Sequence, residues 1–453
     1  MIVDGLHSSD VEKYTAARPA STISKLLATG YEYTNAFTSA PSDSFPGTMA
    51  QFTGGSPRTT GIWYDDVWDW TYYPPGSQCQ GSAGSEVVYD ESIDYNSTML
   101  FSGGIDESNL PLTLINGICT PIYPHQRLMV NTVFEVIHAS GKQTAYVDKH
   151  PAYDIVRGPS GQGLSVGYFP EIAAVANTID ATITYDSLHV QAWLDFIDGN
   201  VPTNSSGGLN SMPALMAGNF QAVSVAQKTV GYNNDSSLST GLLKALDFVD
   251  TSLDQIVSKL KAKGYLNDSL IIVASKHGQA PINPQLWNEV SPDDLAEAVG
   301  VPTAFITTDD IALIWLNNTA DIPKAVSNLQ ANATALKIQE VIAGANLIQQ
   351  GFGNPLTSSR VPHIIVRPQL GTCYTTSKAK IAEHGGLSND DRNAACFVSN
   401  PMLKKMTYTG MVNTTQVAPT ILTALGLNAQ QLQAVVAEDT SPLEGFGAQW
   451  ADW

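Results

Sequence analysis

Residues 242–278 read LLKALDFVDTSLDQIVSKLKAKGYLNDSLIIVASKHG, and this stretch decides the fold class. Leu242, Leu246, Val249, Leu253, Ile256 and Leu260 recur every three or four residues, which predicts a helix with one apolar stripe over 242–263. Gly264 follows where a left-handed cap ends a helix. Leu270-Ile271-Ile272-Val273-Ala274 is then a short continuous apolar run, the mark of a strand covered on both faces. It stops abruptly in Ser275-Lys276-His277-Gly278. Helix, short loop, buried strand and polar residues at the strand's carboxyl end are the grammar of a doubly wound α/β sheet, where ligands gather at those ends.

The same grammar recurs on either side. Val133 to Ile137 predicts a helix closed by Gly141, followed by a strand from Thr144 to Val147 that ends in Asp148-Lys149-His150. Thr415 to Leu425 reads as a helix with Pro419 near its first turn. An irregular stretch over 204–218 leads into an expected strand from Asn219 to Ser224. Ile2-Val3 before Asp4 reads as the end of a buried strand, so a leader and the start of that strand are expected upstream of Met1. Two regions break the pattern. Residues 63–123 are rich in Tyr, Gly, Ser and Pro and predict an irregular insertion at the mouth of a site. Residues 291–372 mix helix and strand signals and predict a small cap lobe. The 453 residues therefore read as one α/β domain, a mostly parallel doubly wound sheet flanked by helices, with insertions forming a cap.

Lys and Arg number 23 against 42 Asp and Glu, a formal charge of -19. Such a chain repels phosphodiester backbones, which argues against a nucleic-acid-binding module. Small anionic substrates stay open if cations concentrate at one place. No apolar run approaches the ~20 residues of a membrane span. N-x-S/T sequons begin at Asn96, Asn204, Asn234, Asn267, Asn317, Asn332 and Asn413, so N-linked glycans and a secretory route are expected. Cys79, Cys119, Cys373 and Cys396 lack C-x-x-C spacing and predict two disulfides. Sequence leaves the pairing open, and nearness along the chain favours Cys79–Cys119 with Cys373–Cys396.

The candidates for chemistry lie where apolar runs end. Asp4 follows Ile2-Val3, where a carboxylate is costly unless paired or metal-bound. Ser44 precedes an expected helix over 48–53, which would aim backbone N–H groups and the helix dipole at an anion on its hydroxyl. His277 and His384 sit in Lys276-His277-Gly278 and Glu383-His384-Gly385-Gly386. Each has a structural alternative: a Ser there is more often an N-cap, a His beside Gly a loop residue, and an Asp after a strand a turn residue. Asp148 and His150, at the end of a predicted strand, are either pocket lining or a capped turn.

In their order along the chain, Asp4-Gly5, residues 38–61 (TSAPSDSFPGTMAQFTGGSPRTTG), residues 275–279 (SKHGQ), His384-Gly385-Gly386 and residues 417–426 (VAPTILTALG) resemble the alkaline phosphatase superfamily. The branch they are most similar to is the type I phosphodiesterase/nucleotide pyrophosphatase family. The resemblance implies that Ser44 attacks phosphorus and forms a covalent intermediate that water cleaves. It also implies two zinc ions flanking the nucleophile, with Asp4 and His277 at one and His384 at the other.

Three departures bear on that implication. The family's Asp-His pair reads Lys276-His277, its Asp-x-x-x-His pair falls on Ser224 and Lys228, and the Asn three residues after the nucleophile is Gly47. A protonated lysine is a poor metal ligand. Lys276 and Lys228 are therefore expected as fixed cations where metal charge would stand, and a lysine of depressed pKa could deprotonate Ser44. The other reading places the ligands elsewhere, with Asp390, Asp391, Asp148 and His150 completing a site for a divalent metal. Gly47, Asp148 and His150 are the expected substrate-side residues, and the substrate expected is a small phosphate ester. A sulfatase-like chemistry is disfavoured because Thr48 stands where the C/S-x-P-x-R context needs Arg. A binding protein that keeps the fold without turnover is the competing class.

Overall fold

The computed structural model describes residues 1–176 and 178–447. In chain order its main strands are β1 (Ile2–Val3), β2 (Gly30–Tyr33), β3 (Thr144–Val147), β4 (Val166–Tyr168), β5 (Ser206–Gly207), β6 (Leu215–Phe220) and β7 (Ile271–Ala274). They continue with β8 (Thr303–Thr308), β9 (Ala312–Leu316), β10 (Ile338–Ala343), β11 (Ile364–Pro368), β12 (Cys396–Ser399) and β13 (Met406–Tyr408). The main helices are α1 (Ser44–Thr53), α2 (Val133–Ala139), α3 (Ile179–Ile197), α4 (Ala222–Thr229), α5 (Thr240–Ala262), α6 (Pro292–Val299), α7 (Ile322–Ala331) and α8 (Val417–Ala424).

A sheet of nine strands runs β5-β4-β3-β6-β1-β7-β12-β2-β13. From β4 through β7 every pairing is parallel, while β5 and β12 run the other way. Helices cover both faces. Phe45, Met49 and Phe52 of α1 share a core with α2 and α8 on one side, and Trp193, Val223 and Leu246 of α3, α4 and α5 share one on the other. The six apolar residues that predicted α5 are all buried, each burial contributing about 1.5–3 kcal/mol. Gly264 takes φ +78 just beyond the helix, as the cap requires.

Between β7 and β12 the chain builds an antiparallel sheet, β8-β9-β11-β10. The two-residue period of β9 explains its seating. Ala312, Ile314 and Leu316 join the core under α6 and α7, whereas Leu313 and Trp315 join the core of the main body. Residues 63–123 include two hairpins, Asp66–Asp69 with Ser85–Val88 and Leu112–Ile115 with Ile118–Pro121, and the Cys79–Cys119 disulfide ties the loop of the first to a strand of the second. Trp63 and Tyr64 are buried, and Trp68 stacks on Phe305 of β8. Among the described residues no helix is long and apolar enough to cross a membrane.

Three local expectations are corrected. The strand expected over 219–224 lies at Leu215–Phe220, and Ser224 stands in helix α4. That helix has no capping side chain of its own at Gln221. Asp186 of α3 supplies the cap from outside, accepting from Gln221 N and Ala222 N at 2.8 Å each. The helix after Ser44 begins at Ser44 itself, with Asp43 as its cap. The disulfide expected between Cys373 and Cys396 is absent; both thiols are free and buried. Cys396 pairs with Ala274 inside the large sheet, whereas Cys373 lies on a two-stranded ribbon opposite Glu289.

Candidate active site

The site forms where β1, β7 and the start of α1 meet. Asp43 caps α1 by accepting from Phe45 N at 3.3 Å, and Pro46 sits in the first turn, where its missing N–H costs no helical bond. Some of the N–H groups expected to face an anion are thus absent or capped. Thr38 Oγ1, ahead of α1, donates to Lys276 O at 2.5 Å and Gln51 Nε2 of α1 donates to Ser275 O at 3.1 Å, tying the helix and the loop before it to the end of β7. Gly47 makes that approach feasible: a Cβ there would lie 1.9 Å from Lys276 O.

Asp4 and Lys276, at the ends of adjacent strands, face each other with Oδ1 and Nζ 3.0 Å apart. Lys276 is wholly buried, donates to the Tyr153 hydroxyl at 3.1 Å and lies 4.6 Å from the centre of that ring. Burial lowers its pKa, Asp4 and Asp148 oppose the shift, and Lys149 adds to it. The Tyr153 hydroxyl lies beside Ser44, whose own Oγ is buried and makes no well-formed hydrogen bond. Phe45 stacks on Tyr153 at 4.5 Å and closes the group from behind.

His277 donates from Nδ1 to Gly278 O at 2.7 Å, which leaves Nε2 bare, 4.0 Å from Asp4 Oδ1. Its ring lies face to face with His384 at 3.7 Å and 2°. His384 in turn has Nε2 3.7 Å from Asp43 Oδ1 and Nδ1 3.0 Å from Glu383 Oε1. Burial first, and then His384 and Lys276, push His277 well below its ordinary pKa; burial and Lys228 lower His384. Two neutral imidazoles can stack in this way, two imidazolium ions cannot. Lys228 and Lys380 both pair with Glu383. Burial alone would raise Glu383, but Lys228, His384 and Lys380 outweigh it and hold the carboxyl well below the usual range.

The fold thus gathers Ser44, Asp4, Lys276, His277 and His384, with Lys228 joined to them through Glu383. It does not bring Asp148 to an open pocket. That carboxylate is buried and taken by Lys149 N, Asn219 Nδ2 and the Tyr146 hydroxyl at 2.8, 3.0 and 2.6 Å. His150 is buried edge-on against Tyr153 at 4.8 Å. Asp390 accepts from Ile282 N at 2.9 Å and Asp391 from Ser388 N at 3.0 Å, so both serve loops rather than an ion. Ser224 donates to Gln279 Oε1 at 3.2 Å. Sequence reasoning missed Tyr153, Asp43, Glu383 and Lys149. Lys149 Nζ lies 5.6 Å from the Tyr153 ring, and its pKa is raised because Asp4, Glu91 and Asp148 outweigh burial. Its place in Asp148-Lys149-His150, at a strand end, was the available signal.

These residues do not fit a two-zinc centre. The Asp4 oxygen that would face one ion faces the Lys276 ammonium, the Lys228 ammonium is paired with Glu383 beside His384, and the two histidines stack on each other. Among the described residues no group of three His, Cys, Asp or Glu is disposed to hold a metal ion.

Residues 1–388 match the family model described as type I phosphodiesterase / nucleotide pyrophosphatase. No curated protein matches the chain in sequence. Among solved structures, it resembles murine ectonucleotide pyrophosphatase / phosphodiesterase 5, determined in an inactive form with AMP. The TM-score is 0.60 at 14% identity, over 94% of this chain and 95% of that one. The human counterpart gives a TM-score of 0.58 at 14% identity, over 94% and 95%. The wild-type alkaline phosphatase PafA gives 0.61 at 13% identity, over 98% and 97%. At these identities the likeness to the solved structures is one of fold, and it is the family model that decides kinship. The chain belongs to the type I phosphodiesterase/nucleotide pyrophosphatase family.

Proposed function

We propose that this protein is a secreted, N-glycosylated phosphate-ester hydrolase acting through a covalent phospho-Ser44 intermediate, with lysines in place of metal charge. The observation that carries the reading is the run from Asp4 through Lys276 Nζ, at 3.0 Å, to the Tyr153 hydroxyl, at 3.1 Å, beside Ser44. Lys276 rests as the cation paired with Asp4, and because burial lowers its pKa its minor neutral form is within reach and accepts a proton. The Ser44 proton passes through Tyr153 to Lys276 as the Ser44 Oγ–P bond forms. The bond from phosphorus to the leaving oxygen breaks, and that oxygen takes the proton. Water then cleaves the Ser44 Oγ–P bond, so diester and water become monoester and alcohol. Lys149 and Lys228 supply positive charge against the phosphoryl oxygens.

The AMP held by the murine relative motivates nucleotide-like phosphodiesters or pyrophosphates as the substrate class. The lobe over 291–372 and the insertion over 63–123 would form the cap. Tyr64 of the insertion donates to Asp309 of the lobe at 3.2 Å, and its hydroxyl packs against Gly385, next to His384.

The test is hydrolysis of bis(p-nitrophenyl) phosphate with and without chelator, beside elemental analysis. Turnover without stoichiometric metal, lost in Ser44→Ala, is the expected result. Two metals per chain with chelator-sensitive turnover would sink the lysine reading. A second reading has its own support: Lys276 and Lys228 each already own a carboxylate partner. If no turnover occurs but AMP binds, the chain is a binding protein on a hydrolase fold.

A further inference from the structure

Beside the site lies a buried polar network that the chemistry proposed above does not use. His7, wholly buried, stands three residues after Asp4, beyond the turn at Gly5. Its Nδ1 lies 3.0 Å from Asp10 Oδ2 and 2.8 Å from the Tyr232 hydroxyl. Asp10 also accepts from His7 N at 3.2 Å, from Gln227 Nε2 at 3.1 Å and from the Tyr232 hydroxyl at 2.9 Å. A carboxylate can only accept, so Nδ1 turns its proton toward Asp10 and the ring orientation is fixed. Burial alone would lower the His7 pKa, but Asp10 and then the Asp390 carbonyl outweigh it and raise it.

The other edge of the ring meets backbone groups of the site's own loops. Gln279 N donates to His7 Nε2 at 3.0 Å, and Asp390 O lies 2.9 Å from the same nitrogen. Gln279 N also donates to Asp390 O at 3.1 Å, so the three atoms form a closed triangle. Either charge state of the ring holds it: neutral Nε2 accepts from Gln279 N, and protonated Nε2 donates to Asp390 O. Gln279 follows Lys276 by three residues, as His7 follows Asp4, and Asp390 lies six residues beyond His384. One side chain thus joins the three segments that bear Asp4, Lys276 with His277, and His384. The loops approach closely here: Gly278 N donates to Asp391 O at 2.6 Å, and a Cβ on Gly278 would lie 2.2 Å from Asp390 O. An apolar side chain of the same volume could hold neither backbone group.

We propose that His7 is a positioning residue: its Nε2 clasps Gln279 to Asp390 and so fixes where Lys276, His277 and His384 stand around Asp4 and Ser44. Its kinetic readout rests on the hydrolase reading above. The test measures bis(p-nitrophenyl) phosphate turnover and amide exchange in the full chain carrying His7→Asn or His7→Gln. The Asn amide can stand where Nδ1 stands, whereas the longer Gln reaches the place of Nε2. His7→Asn is expected to lower kcat by about 10- to 100-fold with KM within about twofold, and to speed exchange at Gly278 and Gln279 by about tenfold. His7→Gln should restore most of both. Equal losses in the two variants, following their urea midpoints, would mark a merely structural histidine and overturn the proposal, as would unchanged kcat in His7→Asn. Should neither variant fold, Tyr232→Phe keeps the ring and removes one group that orients it. Its kcat should then fall about threefold or more at unchanged KM, and wild-type kcat overturns the proposal. If the wild-type chain turns nothing over, the hydrolase reading fails on its own and exchange decides the clasp. Faster exchange in His7→Asn, restored in His7→Gln, supports it, and no change overturns it.

Discussion

Replacing Lys276 by Met keeps the length of the side chain and strips its charge, leaving Asp4, 1% exposed, without its cation. Removing one partner of a buried pair costs about 3–5 kcal/mol, because the survivor is stranded. Lys276→Met is therefore expected to lose about 3–5 kcal/mol at pH 7. Urea unfolding followed by tryptophan fluorescence measures the loss. The double variant Asp4→Asn with Lys276→Met should recover most of the loss, since no lone charge stays buried. A loss below about 1 kcal/mol would refute the ion pair between Lys276 and Asp4.

Three further outcomes are expected. Gly47→Ala forces a Cβ to within 1.9 Å of Lys276 O; it should cost about 1–3 kcal/mol in urea unfolding and lower turnover by displacing α1. Burial, and then a hydrogen bond with Asp94, raise Glu171 to about 9, so the folded chain keeps a proton that the unfolded chain releases near pH ~4. The stability from this raised pKa is complete below the unfolded value and is lost as pH climbs through the folded one. Tm should fall between about pH 5 and about pH 9, and Glu171→Gln should lessen the fall. Burial pushes the Cys396 thiol up to about 12 and Cys373 higher still. A disulfide-exchange reagent at pH ~8 should read no thiol in the native protein and both Cys373 and Cys396 in denaturant; none in denaturant would mean they are bonded.

Much of the scaffold was legible because it rests on short-range rules. The stripe of α5 and the apolar run of β7 follow from side-chain period, and both elements lie within two residues of their expected bounds. The errors fall where the deciding partner is distant. Nothing near Gln221 announces a helix start, because its cap is Asp186 on another helix. The helix expected over 48–53 starts at Ser44, because Pro46 and Gly47 both fit its first turn once Asp43 caps it and Lys276 crowds it. Cys373 and Cys396 are near along the chain, but the strand ladders holding them have different partners.

The sequence by itself determined the α/β grammar, the acidic character and the order of motifs that marks the family, since each depends on residue type and spacing alone. Only the tertiary structure decided that Lys276 answers Asp4, that Tyr153 stands beside Ser44, and that His277 lies flat on His384. Those contacts join the ends of strands and loops far apart in the chain. Their energies arise from burial and from the direction each side chain takes, which strand pairing fixes and local sequence does not record.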